Sequence, residues 1–438
     1  MGSCFIKAVP HSLPAQKEGA DRLKLFQDKF SIYKKAGEPL YKTPKSVQEC
    51  IELLKIAPDG IFEVAGNRYS KSYLFSDVNY NTTSEREQVG IFESYCRFLN
   101  AMDVEFKVTI NNKNRNMKAL REKVLFQKKG DGNDRERDCY NQIMEKKIVE
   151  GKQGIEQERY LTVSIIRKNY EEAKAAFASL EAVLQKGFGE LGSSLAALNG
   201  VERLRVLHDF YRMGEEEYFS FDFEEAVRAG RDYKDDICNS MLKFYPTYMQ
   251  DEKRFAKALF IKKYPSSLSD RFLTELATVP AHTIISIDVA PIPKDVTTST
   301  LQKKYMGIES DIIRQQRVRN KNNDFSSDIS YNKRTEKQQI EEIMDDVREN
   351  DQRLFYVAVT IIIKADTKEE LEAIEETLVT IGKRNSCQIE AHYLKQREAL
   401  NTALPIGVRQ VETMRTLMTQ SLAVLMPFNV QELYLPGK

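Results

Sequence analysis

The acid that closes "IISID" (284–288) sits in the setting closest to a catalytic one in this chain. A β-branched run ending in Asp has the form of a Walker B strand, in which the carboxylate holds Mg²⁺ beside a nucleotide. That chemistry also requires a glycine-rich turn whose N–H groups wrap phosphate, followed by Lys and then Ser or Thr. "GFGELGSSL" (187–195), "GSSLAALNG" (192–200) and "PGK" (436–438) have neither the spacing nor the following residues. Asp288 therefore stands alone and is read as structural. The residues name no catalytic, cofactor-binding or metal-binding site.

Other reactive types are equally unpaired. His11, His208, His282 and His392 have no metal-ligand spacing to one another or to a cysteine, and the two in strand-like segments, His282 and His392, read as structural. Cys4, Cys50, Cys96, Cys139, Cys238 and Cys387 form no CxxC pair, which argues against a disulfide framework or zinc cluster and fits a reducing compartment. "RQQRVRNKNN" (314–323) is the strongest basic run. It contains no aromatic residue to stack on bases and "DFSSD" follows it, so it reads as a solvated helix face.

The elements that would position such residues follow from pattern. With 438 residues the chain can hold two or three cores. Its 66 basic and 65 acidic residues leave a net charge of +1, which argues against a dedicated nucleic-acid coat or an acidic-substrate binder. The longest apolar run, "YVAVTIII" (356–363), is too short to cross a bilayer. The opening residues lack the apolar core of a secretory signal, and 1–40 read as a flexible tail.

"DGIFEVAGNRYSKSYLFSDVNY" (59–80) alternates about a Gly-Asn turn and predicts a hairpin. "TTSEREQVGIFESYCRFLNAMD" (82–103) predicts a helix opened by a Ser84/Glu87 capping box, and "VEFKVTI" (104–110) a strand. These make a small α+β module over 41–111, followed by a polar connector over 112–157. An α+β domain over 158–410 then contains a repeat. "YLTVSIIRK" (160–168) and "YVAVTIIIK" (356–364) share five of nine residues at one offset, and each leads into a helix opening with paired acids, Glu171-Glu172 and Glu369-Glu370. The expected fold class is α+β: a β-hairpin/helix module followed by mixed sheets of duplicated ferredoxin-like βαβ units with long helices. "KALFIKKYP" (257–265) and "HTIISIDVAPIP" (282–293) read as further strands, and 295–350 as a long polar helical stretch broken near 319–330. "RTLMTQSLAVLM" (415–426) has roughly helical spacing and predicts a helix ended by Pro427 within a 411–438 linker.

"HYLKQREALNTALPIG" (392–407) followed by "RTLMTQSLAVLMPF" (415–428) resembles the end of the N-terminal region of the conjugation and type IV secretion ATPases, the VirB-four/TraC/TraE family. A glutamine-arginine helix, a Leu-Pro-x-Gly turn and a helix ending in Pro-Phe occur there in this order. The hairpin at 59–80, the helix at 91–103 and the strands at 257–269 and 282–293 fit the same series, over about 41–435. The resemblance implies an assembly module that docks to inner-membrane channel subunits from the cytoplasmic side and supports homo-oligomerisation of the whole ATPase. ATP and Mg²⁺ would belong to a following P-loop domain that is missing here. The contrasting expectation is a free-standing nucleic-acid-handling protein of a mobile element.

Overall fold

The structure is a computed structural model that describes residues 44, 46–81, 83–114, 124–127, 129–150, 155–265, 268–321 and 331–428. The tail at 1–40 and the final residues with "PGK" lie outside them.

Among the described residues thirteen strands form one sheet, and every pairing in it is antiparallel rather than mixed. The chain runs β1 (Lys55–Ile56), β2 (Phe62–Ala65), β3 (Arg68–Phe75), α1 (Glu85–Ala101), β4 (Glu105–Asn114), α2 (Asp134–Glu150), β5 (Ile155–Ile166), α3 (Tyr170–Glu190), β6 (Leu195–Ala197) and α4 (Gly200–Tyr211). After α5 (Phe223–Ala229) and α6 (Tyr233–Ile237) it runs β7 (Leu242–Phe244), β8 (Met249–Asp251), β9 (Phe255–Lys263), α7 (Arg271–Ala277), β10 (His282–Pro291), α8 (Lys294–Lys321), α9 (Tyr331–Glu349), β11 (Leu354–Ala365), α10 (Lys368–Arg384), β12 (Gln388–Ala391) and α11 (Gln396–Ala403). β13 (Arg415–Met418) and α12 (Thr419–Ala423) complete it.

The two halves share one order of core elements. In each, two short strands lead into a strand–helix–strand, an inserted helical segment, a strand–helix–strand and a helix. The strand orders are β6-β3-β5-β4 and β12-β9-β11-β10, the fourth-first-third-second order of a ferredoxin-like βαββαβ unit. β4 and β10 join the units edge to edge, in register from Thr283↔Asn112 to Val289↔Phe106. The repeat expected at 158–187 and 354–385 is thus the second half of each unit. Asn169 and Thr367 cap α3 and α10, and the paired acids occupy both first turns.

The expected boundary between residues 111 and 158 does not divide the sheet, because β4 pairs with β5 from Glu105↔Ser164 to Asn114↔Ile155. The helix expected over 415–426 is also corrected. Residues 415–418 extend the sheet as β13 along β11, and only 419–423 are helical, because the free edge at Leu354–Val357 supplies backbone partners that helical spacing cannot reveal. The hairpin, with Asn67 at φ 63°, and the Ser84/Glu87 capping box stand as read.

Alternation sets the two faces. On one, Phe106, Val108 and Ile110 of β4, Leu161, Val163 and Ile165 of β5, Ile285, Ile287 and Val289 of β10 and Val357, Val359 and Ile361 of β11 form a continuous apolar core covered by α1, α3, α7, α10 and α12. The opposite face carries Ile284, Ala358 and Ile362, packed against α4 and α11. It also carries a band of polar side chains that is buried all the same.

Candidate functional site

Asp288 belongs to that buried band. β10 lies opposite β4 in register, so Asp288 stands directly across from Lys107, Nζ 3.3 Å from the carboxylate, with both side chains almost fully enclosed. Ser286 donates to the same carboxylate at 3.2 Å. Burial pushes the Asp288 carboxyl up, opposed by Lys107 and Arg409, and pushes the Lys107 ammonium down, opposed by Asp288. Arg68 pairs with Glu105 one residue pair along β4, and Arg409 reaches that acid at 3.5 Å. This is a charged row inside the fold, with 7% of the Asp288 side chain exposed.

What covers the row is the Leu-Pro-x-Gly segment. After α11 the chain turns at 404–407 and runs on over the polar face as a strap without regular structure, and its carbonyls accept hydrogen bonds from side chains of the strands beneath. Ser70 Oγ donates to Ile406 O at 2.7 Å, Ser72 Oγ to Pro405 O at 3.1 Å and Ser164 Oγ to Gly407 O at 2.9 Å. Arg68 Nε reaches Gly407 O at 3.1 Å. Lys107 Nζ donates to the carbonyls of Thr402, Leu404 (3.2 Å) and Val408 (2.9 Å). From above, Arg203 of α4 spans Gly60 O, Ser70 O and Pro405 O at 2.8–3.0 Å while its guanidinium lies 3.9 Å from the Phe62 ring centre. Gly407 has φ 82°, and a Cβ there would come within 2.5 Å of Ser164 Oγ and Ser70 Cβ. Only glycine lets the strap lie this close.

The remaining candidates are scattered. His282 borders a recess of about 20 Å³ with Lys113, Asp209 and Lys364, a space for water rather than for a metabolite. Burial, with Lys364 and Arg254 beside it, holds His282 down at about 4. His392 stacks on Phe260 with ring centres 4.4 Å apart, and burial, then Lys395, holds it at about 4. Burial pushes the Cys238 and Cys387 thiols up to about 12, far from a thiolate nucleophile. The glycines of "GFGELGSSL" serve packing and helix exit. A Cβ on Gly187 would meet Phe98 Cδ2 at 2.8 Å, and Gly192 leaves α3 at φ 76°. Of the basic run, 314–317 lie exposed on α8 and 322–323 lie outside the described residues.

The other prominent feature is the insertion between β10 and β11. α8 and α9 form an antiparallel pair that stands off the sheet, held at its base by Ile292, Leu301, Ile343, Leu354 and Met418 and further out by Ile308, Ile312 and Ile340. The sequence marked this stretch as helical, but not the charged row or the strap. Alternation in "VEFKVTI" sets Glu105, Lys107 and Thr109 opposite Phe106 and Val108, the signature of a strand with one wet face. The strap keeps that face dry. Among the described residues no group of three side chains could hold a metal, and no helix is long and apolar enough to cross a membrane. No protein family matches the sequence, and no curated protein does.

Proposed function

We propose that this chain is a docking and assembly module of a conjugation-type secretion machine, acting through its surfaces rather than through a nucleotide site of its own. The observation that carries the reading is the contrast between interior and insertion. The one acid that resembles a nucleotide ligand is paired with Lys107 beneath the strap, whereas the α8–α9 pair extends from the sheet with an outer face that the other described residues leave uncovered. The segment whose sequence resembles the secretion ATPases, 392–428, forms β12's exit, the strap, β13 and the core residue Phe428. It reads as the framework on which such a module is built. The partners proposed are inner-membrane channel subunits, met from the cytoplasmic side, with self-association of the assembled ATPase as a second contact.

Co-expression with the inner-membrane subunits of a conjugation machine, followed by detergent extraction and affinity capture, tests this. Specific co-purification of at least one subunit is expected. Capture of none, together with duplex-DNA binding that weakens steeply as salt rises, would replace the reading with nucleic-acid handling. Phosphate release above background that is lost in Asp288→Asn would overturn its non-enzymatic part.

A further inference from the structure

The two faces of α8 are built for different neighbours. Leu301, Ile308 and Ile312 are buried, Ile308 and Ile312 against Ile340 of α9. Two acids of α8 are taken up by the same partner helix, Glu309 by Lys337 at 2.9 Å and Asp311 by Lys333 at 2.7 Å. The opposite face is left with Lys303, Met306, Ser310, Ile313, Arg314 and Arg317, all exposed. Met306 is 63% and Ile313 48% exposed, large values for apolar side chains. Seven residues apart, they point the same way two turns from each other. Between them a Cβ on Gly307 would touch nothing within 4 Å, and a shallow groove runs from Met306 to Arg317 past Ser310, Ile313 and Glu309, the last paired with Lys337.

We infer that this face receives an acidic amphipathic helix of a protein partner. The inference rests on the docking function proposed above and names the surface and the partner's chemistry. Two apolar side chains at heptad spacing beside Gly307 match the ridge of a second helix, which a small residue lets approach closely. Lys303 at one end and Arg317 at the other, with Arg314, which also reaches Asp311 of its own helix at 3.5 Å, favour carboxylates flanking that ridge, the charge complementarity that sets partner choice and orientation. From Lys303 to Arg317 the face is roughly 21 Å long, the span of a four-turn helix. Phosphodiester would satisfy the cations but leave Met306 and Ile313 against water, and no aromatic stands among them to stack a base. An anionic bilayer would gain about 1 kcal/mol from each cation, with two aliphatic side chains and no aromatic anchor to hold it.

The full chain is titrated with a labelled helical peptide carrying Leu on one face and Glu on its flanks, and with the same peptide carrying Lys in place of Glu. The acidic peptide is expected to bind at least about tenfold more tightly. Arg314→Glu with Arg317→Glu should reverse the preference, Met306→Ser with Ile313→Ser should weaken the acidic peptide by a similar factor, and Gln339→Glu on the outer side of α9 should change neither. Equal binding of both peptides, or indifference to the charge reversal, overturns the inference. So does stronger binding, dependent on the same residues, to duplex DNA or to phosphatidylglycerol vesicles. The charge-reversed chain is also tested for capture of inner-membrane subunits. Wild-type capture that survives the reversal sinks this surface and leaves the docking function standing, whereas absence of wild-type capture sinks the function itself.

Discussion

At the scale of the residue, the interior charge row makes the sharpest demands. Lys107 is held by one carboxylate and three carbonyls, so its loss leaves the buried Asp288 without its ion-pair partner, with the Ser286 hydroxyl still donating to it. Lys107→Met is expected to cost about 3–5 kcal/mol of unfolding free energy. Adding Asp288→Asn should restore part of that, and urea unfolding of the two singles and the double gives the coupling. Strict additivity would show that the pair does not interact. Gly407→Ala should cost more than about 1 kcal/mol, since it combines a left-handed φ with contacts at 2.5 Å. His392 predicts a pH effect. Unfolded, its ring takes a proton near the ordinary value of 6.5, but folded only near 4. Between these values protons bind the unfolded chain preferentially, so stability falls as pH falls, by up to about 1.4 kcal/mol per pH unit for one ring. His392→Phe, which keeps a ring on Phe260, should reduce that slope in unfolding curves taken from pH 7 to pH 4, leaving the share that His282 contributes.

At the scale of the element, much of the fold could be read because local chemistry and tertiary role agree. Ser84 with Glu87, Asn67 in its turn, and the capped acids of α3 and α10 are signals that neighbouring residues alone determine. The full repeat was hidden because α1 runs from Glu85 to Ala101 while its counterpart α7 runs only from Arg271 to Ala277, and only one strand pair kept its residues. The strap gives no periodic signal, since what it offers the sheet is carbonyl oxygen, which every residue carries. The α8–α9 pair has a slender hold, a few aliphatics and surface ion pairs of small net value. Its amides are expected to exchange faster than those of β10 and β11, and Ile340→Ala should speed α8 and α9 while leaving the strands unchanged. Equal acceleration in β10 would show that the pair is part of the central cooperative unit.

At the scale of the molecule, the β4–β10 seam decides whether two units behave as one. It joins two central strands, each bonded on its other side, and the apolar core runs across it without a break. The described residues should therefore melt in one calorimetric transition with matching calorimetric and van't Hoff enthalpies. Two separable transitions would mean that the units are independent domains in contact.

The strap also sets a clock. Ser70, Ser72 and Thr162 are made early, but the carbonyls that satisfy them belong to Pro405 and Ile406, near the end of the described chain. At about 5–20 residues per second, roughly 15–70 s separate Ser72 from Pro405 during synthesis. Once β6 is made at Ala197, and until Pro405 follows, the first unit has a complete set of strands and an open polar face, which water must fill. Its folding is held back by its own sequence until the second unit has been made. Ribosome-bound chains stalled after residue 400 should be cut by protease within the first unit, and chains long enough to expose 404–411 outside the ribosome should resist.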